Sequence, residues 1–260
     1  MFLFLSNALE QMDLALDQLA INDPNYMRFA LMLVDNVVEL TLHQYALDKF
    51  SSNQMWKLLP PKYPPKLVSE ALKQHFGAKV KLAAETGFIK SEIKDTLNIL
   101  HSFRNEVYHQ GMTHEDILSS VSKFYFQNAC DLLKTYNPES FSYNPSQKIP
   151  YRSQKYLGIK PSHTSLDDFK AACSRLKEIS ANHTFNLIED LANKMKAMID
   201  ECDHYIQFLK EDHPNNYNTR TSALIDAQLW SIAYTEEATK FAELKKHIFK
   251  NDSEFLEWLR

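Results

Sequence analysis

The sequence predicts an all-α protein, and three observations carry that reading. Apolar residues recur at helical period along most of the 260 residues. Glycine is scarce: there are 4, where average usage would give about 18. Leu, Lys, Glu and Ala, which favour helices, are plentiful. The four glycines (Gly77, Gly87, Gly111 and Gly158) are never clustered. Dinucleotide fingerprints and phosphate loops need clustered glycines for close backbone approach, so both are excluded.

The elements follow in order. A first helix spans about residues 3–19 and takes in most of the opening MFLFLSNAL, residues 1–9. That opening lacks a basic leader and a small-residue cleavage site, so it does not read as a signal peptide. Asp23–Pro24 is a start signal, a capping residue followed by proline at the first helical position. The helix it opens, about 25–50, carries Phe29, Met32, Leu33, Asn36, Val37, Leu40 and Tyr45. Residues 58–67, LLPPKYPPKL, hold four prolines within six positions and form a stiff turn or crossover. Helical pattern resumes over about 67–76 and 78–85. Ser91 caps a helix that ends near Gly111, and Thr113 with Asp116 opens another to about residue 135. Residues 1–135 thus read as one helical domain.

Composition shifts at 136–164, which hold Pro138, Pro145, Pro150 and Pro161 and no sustained period. From 137 to 163 four basic residues face one acidic residue. The tract reads as a basic linker or a strap packed on the surface. Its tyrosines (Tyr136, Tyr143, Tyr151, Tyr156) are interleaved with Lys and Arg, a composition that can stack on single-stranded bases. Tyr151, Arg152 and Lys155 are its RNA-binding candidates.

Residues 165–260 read as a C-terminal helical domain. Ser165 and Asp168 form a capping pair. Ile188, Leu191, Met195, Met198, Cys202, Tyr205 and Leu209 then step by 3 and 4, the seam of a paired helix. A last long helix, about 219–249, is joined to it by the short link 213–218, so the two are expected to form an antiparallel hairpin. Residues 167–180 are expected to pack on that hairpin, and 253–260 also look helical. The chain ends on FLEWLR without a tail, which fits a fragment of something longer.

Charge is nearly balanced, 29 basic against 33 acidic, which argues against wholesale coating of nucleic acid and leaves room for a local basic groove. From residue 164 onward there are 12 basic and 17 acidic side chains, so that half is not expected to grip RNA. Three widely spaced cysteines (Cys130, Cys173, Cys202) give no disulfide framework and suit a reducing, cytoplasmic setting. No apolar run approaches the roughly 18 residues of a membrane span.

One charge is out of place. On a helical wheel with Ile93 at zero, Leu97, Leu100, Val107 and Tyr108 fall at about 40°, 340°, 320° and 60°. Arg104 falls at about 20°, the centre of that apolar stripe. A charge facing a core costs several kcal/mol unless paired. Asp35 or Glu39, on the second helix, is the expected carboxylate.

The surrounding residues, F-R-N-E-V-Y-H-Q-G, place Asn105 after the arginine and His109 five positions on. This R-N-x3-H resembles the R-x4–6-H motif of the HEPN superfamily, small all-helical domains found in prokaryotic toxin–antitoxin, abortive-infection and CRISPR ribonucleases. Glu39, in VVELTLHQYAL, looks like that family's upstream acidic segment. The resemblance covers about residues 1–135. It implies a cofactor-free, metal-independent endoribonuclease with Arg104, Asn105 and His109 as catalytic residues; Glu39, and Asp35 and Tyr108 from the reading of the residues themselves, are the supporting candidates. It further implies an RNA substrate, a homodimer, and an antitoxin or defence-system protein as partner. Imidazole exchanges protons near neutral pH, and a guanidinium holds a phosphorane with a fixed charge. Arg104 and His109 lie about 140° apart on a straight helix, so the helix must unwind or two chains must face each other. Some toxins of this group carry tyrosine two positions after the histidine; here that residue is Gly111.

Two other readings compete. E-x-x-H occurs as Glu106/His109 and Glu201/His204, the spacing used in di-metal bundles, but neither pair lies on an apolar stripe. The remaining histidines, His101 among them, are scattered and expected on the solvated surface. The serious rival is a non-catalytic scaffold, or an inactive HEPN-like module binding a protein or nucleotide, in which Arg104 only makes an ion pair.

Overall fold

The computed structural model describes residues 1–55, 60–73, 75–110, 114–141, 148–157, 165–182 and 185–212. These residues form helices and no strand. The helices are α1 (Phe2–Ile21), α2 (Pro24–Met55), α3 (Pro65–Ala71), α4 (Phe76–Glu85), α5 (Ser91–Gln110), α6 (Glu115–Thr135), α7 (Gln154–Leu157), α8 (Leu166–Ala181) and α9 (Leu187–Asp212). The chain divides into two compact units, Met1–Leu191 and Ala192–Arg260.

The first unit is built on α2. One side of α1 buries Leu5, Leu9, Met12, Leu16 and Leu19, and α1 packs along α2. The helix α6 packs on α2 and sends Tyr125, Phe126, Ala129 and Leu133 into the core. Between α1 and α2 the chain turns at Asn22, in left-handed backbone (φ 55°) that Asn tolerates better than most residues. Asp23 then caps α2 by accepting a hydrogen bond from the Asn25 backbone N–H at 2.9 Å. The Asp23–Pro24 start is therefore where the sequence puts it.

The proline tract behaves as a break. Pro65 is the first residue of α3, where its missing N–H costs nothing. Asn53 ties the segment before it to α2, donating to the Tyr63 carbonyl at 2.9 Å and accepting from its N–H at 3.0 Å. The expected helix over 67–76 stops at Ala71, and α4 begins at Phe76. Gly87 closes α4 at φ 78°, with Gly87 N–H on the Ala84 carbonyl and Phe88 N–H on the Ala83 carbonyl, a paired-bond helix stop that favours glycine. The proposed cap Thr113 and the terminator Gly111 lie outside the described residues.

Two expectations about organisation change. The boundary expected at residue 165 falls instead at 191/192. The reason is α8. Its capping box is present as read, with Asp168 N–H on Ser165 Oγ and Ser165 N–H on Asp168 Oδ2. Its apolar face, Phe169, Ala172, Cys173 and Leu176, is buried, and α8 packs on α6 and α1 of the first unit. The tract 136–164 is likewise tied to the first unit where it is described. Tyr136 is buried and donates to Asp48 at 2.6 Å.

The seam on α9 is helical but open. Ile188, Met195, Met198, Cys202 and Tyr205 are all exposed. The expected hairpin partner, residues 219–249, its link 213–218 and the stretch 253–260 lie outside the described residues, as does the side chain of Leu209.

Candidate active site

Asp35 sits on the inward face of α2 and is 0% exposed. An ionised carboxylate there must be answered by donors. Three side chains do so. Arg104 Nε donates to Oδ2 at 2.7 Å, with Nη2 2.5 Å from the same oxygen. Tyr125 of α6 donates its hydroxyl to Oδ1 at 2.8 Å. His101 Nδ1 lies 3.0 Å from Oδ1. Burial, and then the Asp35 charge, push the Tyr125 hydroxyl well above its usual pKa, so it stays a donor.

The arginine on the apolar stripe therefore pairs with Asp35. Asn105 adds a third hold, accepting from Arg104 Nη1 at 2.8 Å. The hydrogen bonds take up two of the five N–H groups of the guanidinium, and Nη2 lies against Asp35 as an ion-pair contact. The Arg104 side chain remains 24% exposed. The site is thus a partly exposed cation locked in direction, with N–H donors to spare.

His101 is the residue that sequence reasoning missed. It was expected on the solvated surface, yet its ring stacks on Phe76 of α4 with centroids 3.9 Å apart, and its side chain is 19% exposed. It precedes Arg104 by three residues, which puts both on one helix face. That spacing was the available signal.

Glu39, one turn along α2 from Asp35, does not contact Arg104; it pairs with Lys79 of α4 at 2.8 Å. Ligand atoms of Asp35, Glu39 and His101 lie within 4.8 Å of one another, a spacing that could hold a metal ion. Arg104 and Lys79 already answer both carboxylates, so the cluster has no surplus negative charge for a dication. Beside Glu39 a cleft of about 230 Å³ is lined by Glu39, Leu40 and His43 of α2, Leu72, Lys73 and Lys79. Burial and the neighbouring Lys79 lower the pKa of His43, so it favours the neutral form.

The other predicted residues fall elsewhere. His109 and Tyr108 are exposed near the end of α5 and pack edge to face on each other, centroids 5.1 Å apart. Glu106 is also exposed and lies 3.3 Å from His114. Glu201 and His204 are exposed on α9. Of the RNA-binding candidates, Tyr151 is 80% exposed, but Arg152 and Lys155 are engaged by α1. Arg152 Nη1 reaches Asp13 at 2.7 Å and Asp17 at 2.5 Å, and Lys155 reaches Asp13 at 2.8 Å. Tyr156 also donates to Asp13. The described part of this tract is a strap, and Tyr143 lies outside the described residues.

Comparison with family models, with curated proteins and with solved structures finds no match to this chain.

Proposed function

We propose that the protein is a metal-independent endoribonuclease of HEPN type, acting as a toxin or antiphage-defence effector in the cytoplasm. The observation that carries this reading is the state of Arg104: fixed by Asp35 and Asn105, yet partly exposed with donors to spare. A guanidinium held in advance of the substrate stabilises a charged phosphorane without reorganising during the reaction. Arg104 and Asn105 grip the phosphate, and His109 supplies an imidazole for proton transfer. RNA is the substrate. A homodimer brings His109 of one chain towards Arg104 of the other, which answers their offset on one helix.

The test is incubation of purified protein with bulk tRNA and mRNA in EDTA, wild type beside Arg104→Lys and Arg104→Ala. Lysine keeps the charge but not the fork. Cleavage leaving a 2′,3′-cyclic phosphate, and its loss in both variants, is expected. A requirement for divalent metal, or undiminished cleavage by both variants, sinks the reading.

One observation favours a second reading. Asp35 answers the Arg104 charge on its own, and α9 exposes Ile188, Met195 and Met198. A non-catalytic scaffold needs no more than that. Wild-type protein that leaves all RNA intact would decide for the scaffold.

A further inference from the structure

We infer that His101, not only His109, is a catalytic residue: its Nε2 takes the proton from the attacking 2′-hydroxyl, with Asp35 as the residue that positions it. This rests on the ribonuclease reading above and deepens it.

The ring is oriented from two sides. Phe76 stacks on it nearly parallel, at an interplanar angle of 2°, which fixes the plane. Asp35 takes up Nδ1, at 3.0 Å from Oδ1 and 3.2 Å from Oδ2. A carboxylate can only accept, so Nδ1 carries the hydrogen and the Nε2 lone pair is left free. Nε2 has no hydrogen bond to any described residue, and it is not among the buried polar atoms that lack a partner. It therefore reaches solvent. A carboxylate on one imidazole nitrogen and an accessible lone pair on the other is the arrangement of a general base whose tautomer is held in place.

The neighbouring cation is correctly placed. His101 and Arg104 bond the same carboxylate from one helix face, so a phosphodiester gripped by Arg104 lies beside His101 of the same chain. His109, about 140° away from Arg104 on the helix, lacks that advantage. The two histidines then divide the work. Nε2 of His101 accepts the 2′-hydroxyl proton as the O2′–P bond forms. The P–O5′ bond breaks, and protonated His109 gives its proton to the leaving 5′-oxygen. The products are a 2′,3′-cyclic phosphate and a 5′-hydroxyl, and solvent restores both imidazoles. No oxidant or metal enters. The charged and titratable groups near His101 are Asp35 and Glu39 from α2; Asp35 in turn binds Arg104 of α5 and Tyr125 of α6, and Glu39 binds Lys79 of α4.

The deciding variant is His101→Asn. The asparagine amide N–H can replace the Nδ1 donor to Asp35, so the fold is kept, but no base remains at the Nε2 position. His101→Gln and His109→Ala are measured beside it, on bulk tRNA in EDTA across pH 5 to 9. His101→Asn should lose about 10²- to 10⁴-fold in cleavage rate and the acid limb of the pH–rate profile, with melting unchanged. Wild-type rate and an intact acid limb in His101→Asn and His101→Gln, with His109→Ala inactive, overturn the role of His101 and leave the ribonuclease reading standing. A rate lost only because both His101 variants have lost helicity also overturns it. Wild-type protein that cleaves no RNA overturns both together.

Discussion

Among the described residues, the buried Asp13 and Asp35 each gather cations, and the two clusters differ in their partners. Asp13 of α1 collects Arg152, Lys155 and Tyr156 from the strap. Asp35 of α2 collects Arg104, His101 and Tyr125 from α5 and α6. Each is a carboxylate with an arginine, a tyrosine and one further base. At Asp13 the further base is a lysine, and all three partners come from one short segment, so the cluster acts as a latch for that segment. At Asp35 the further base is an imidazole with a free nitrogen, and the arginine is held on a rigid helix. An arginine paired with a buried acid is therefore weak evidence of a site. The accompanying imidazole is what separates the two.

The contrast can be broken at its centre. Asp35→Ala removes the acceptor of Arg104 Nε, His101 Nδ1 and the buried Tyr125 hydroxyl, leaving Arg104 only its bond to Asn105. Removing one partner of a buried pair costs about 3–5 kcal/mol, so urea unfolding should show the largest loss among these variants. A loss under about 1 kcal/mol would mean that water or Glu39 replaces the carboxylate.

Asp13→Asn should cost less, about 1–3 kcal/mol, because Arg152 and Lys155 reach solvent and stay hydrated. Burial alone would raise the Asp13 pKa, but the bonds from Lys155, Tyr156 and Arg152 outweigh it and hold the value below the usual 3.8. The folded value is depressed, so this stabilisation is present above pH about 4. It is lost as pH falls through the folded value. Wild type should therefore lose more stability than Asp13→Asn on acidification, and the variant's strap should be cut faster near residues 152–157 in limited proteolysis. Equal acid sensitivity would remove Asp13 as the latch.

The smallest effect is expected on α9. Met195 is 64% exposed, and exposed substitutions usually fall within about 0.5 kcal/mol. Met195→Asp should leave melting nearly unchanged. A loss of several kcal/mol would show that residues 219–249 cover the seam as an antiparallel hairpin.

How much of this was legible in the sequence depends on the range of each interaction. Local signals read well: Asp23–Pro24, the Ser165/Asp168 box and the helical periods all correspond to elements. Arg104 on an apolar stripe was legible because a misplaced charge demands a partner, and Asp35 was one of two carboxylates in reach. His101 was not. Its identity as part of the site depends on Asp35 and Phe76, 66 and 25 positions away, and on the wheel it lies just beyond the stripe's edge. The docking of α8 was missed for a related reason. Its apolar face is as suited to α6 as to a hairpin, and periodicity does not name the partner. Arg152 and Lys155 looked free because the acids that hold them are about 140 residues away on α1.

The central claim is that the Asp35 cluster cleaves RNA and the Asp13 cluster only fastens the strap. The most direct measurement is end-group analysis of tRNA treated in EDTA with wild type, Arg104→Lys and Asp13→Asn, each first shown to retain its helicity. The account predicts 2′,3′-cyclic phosphate ends from wild type and from Asp13→Asn, and none above background from Arg104→Lys. Cyclic phosphate ends from Arg104→Lys at the wild-type rate, or none from any of the three, would contradict it.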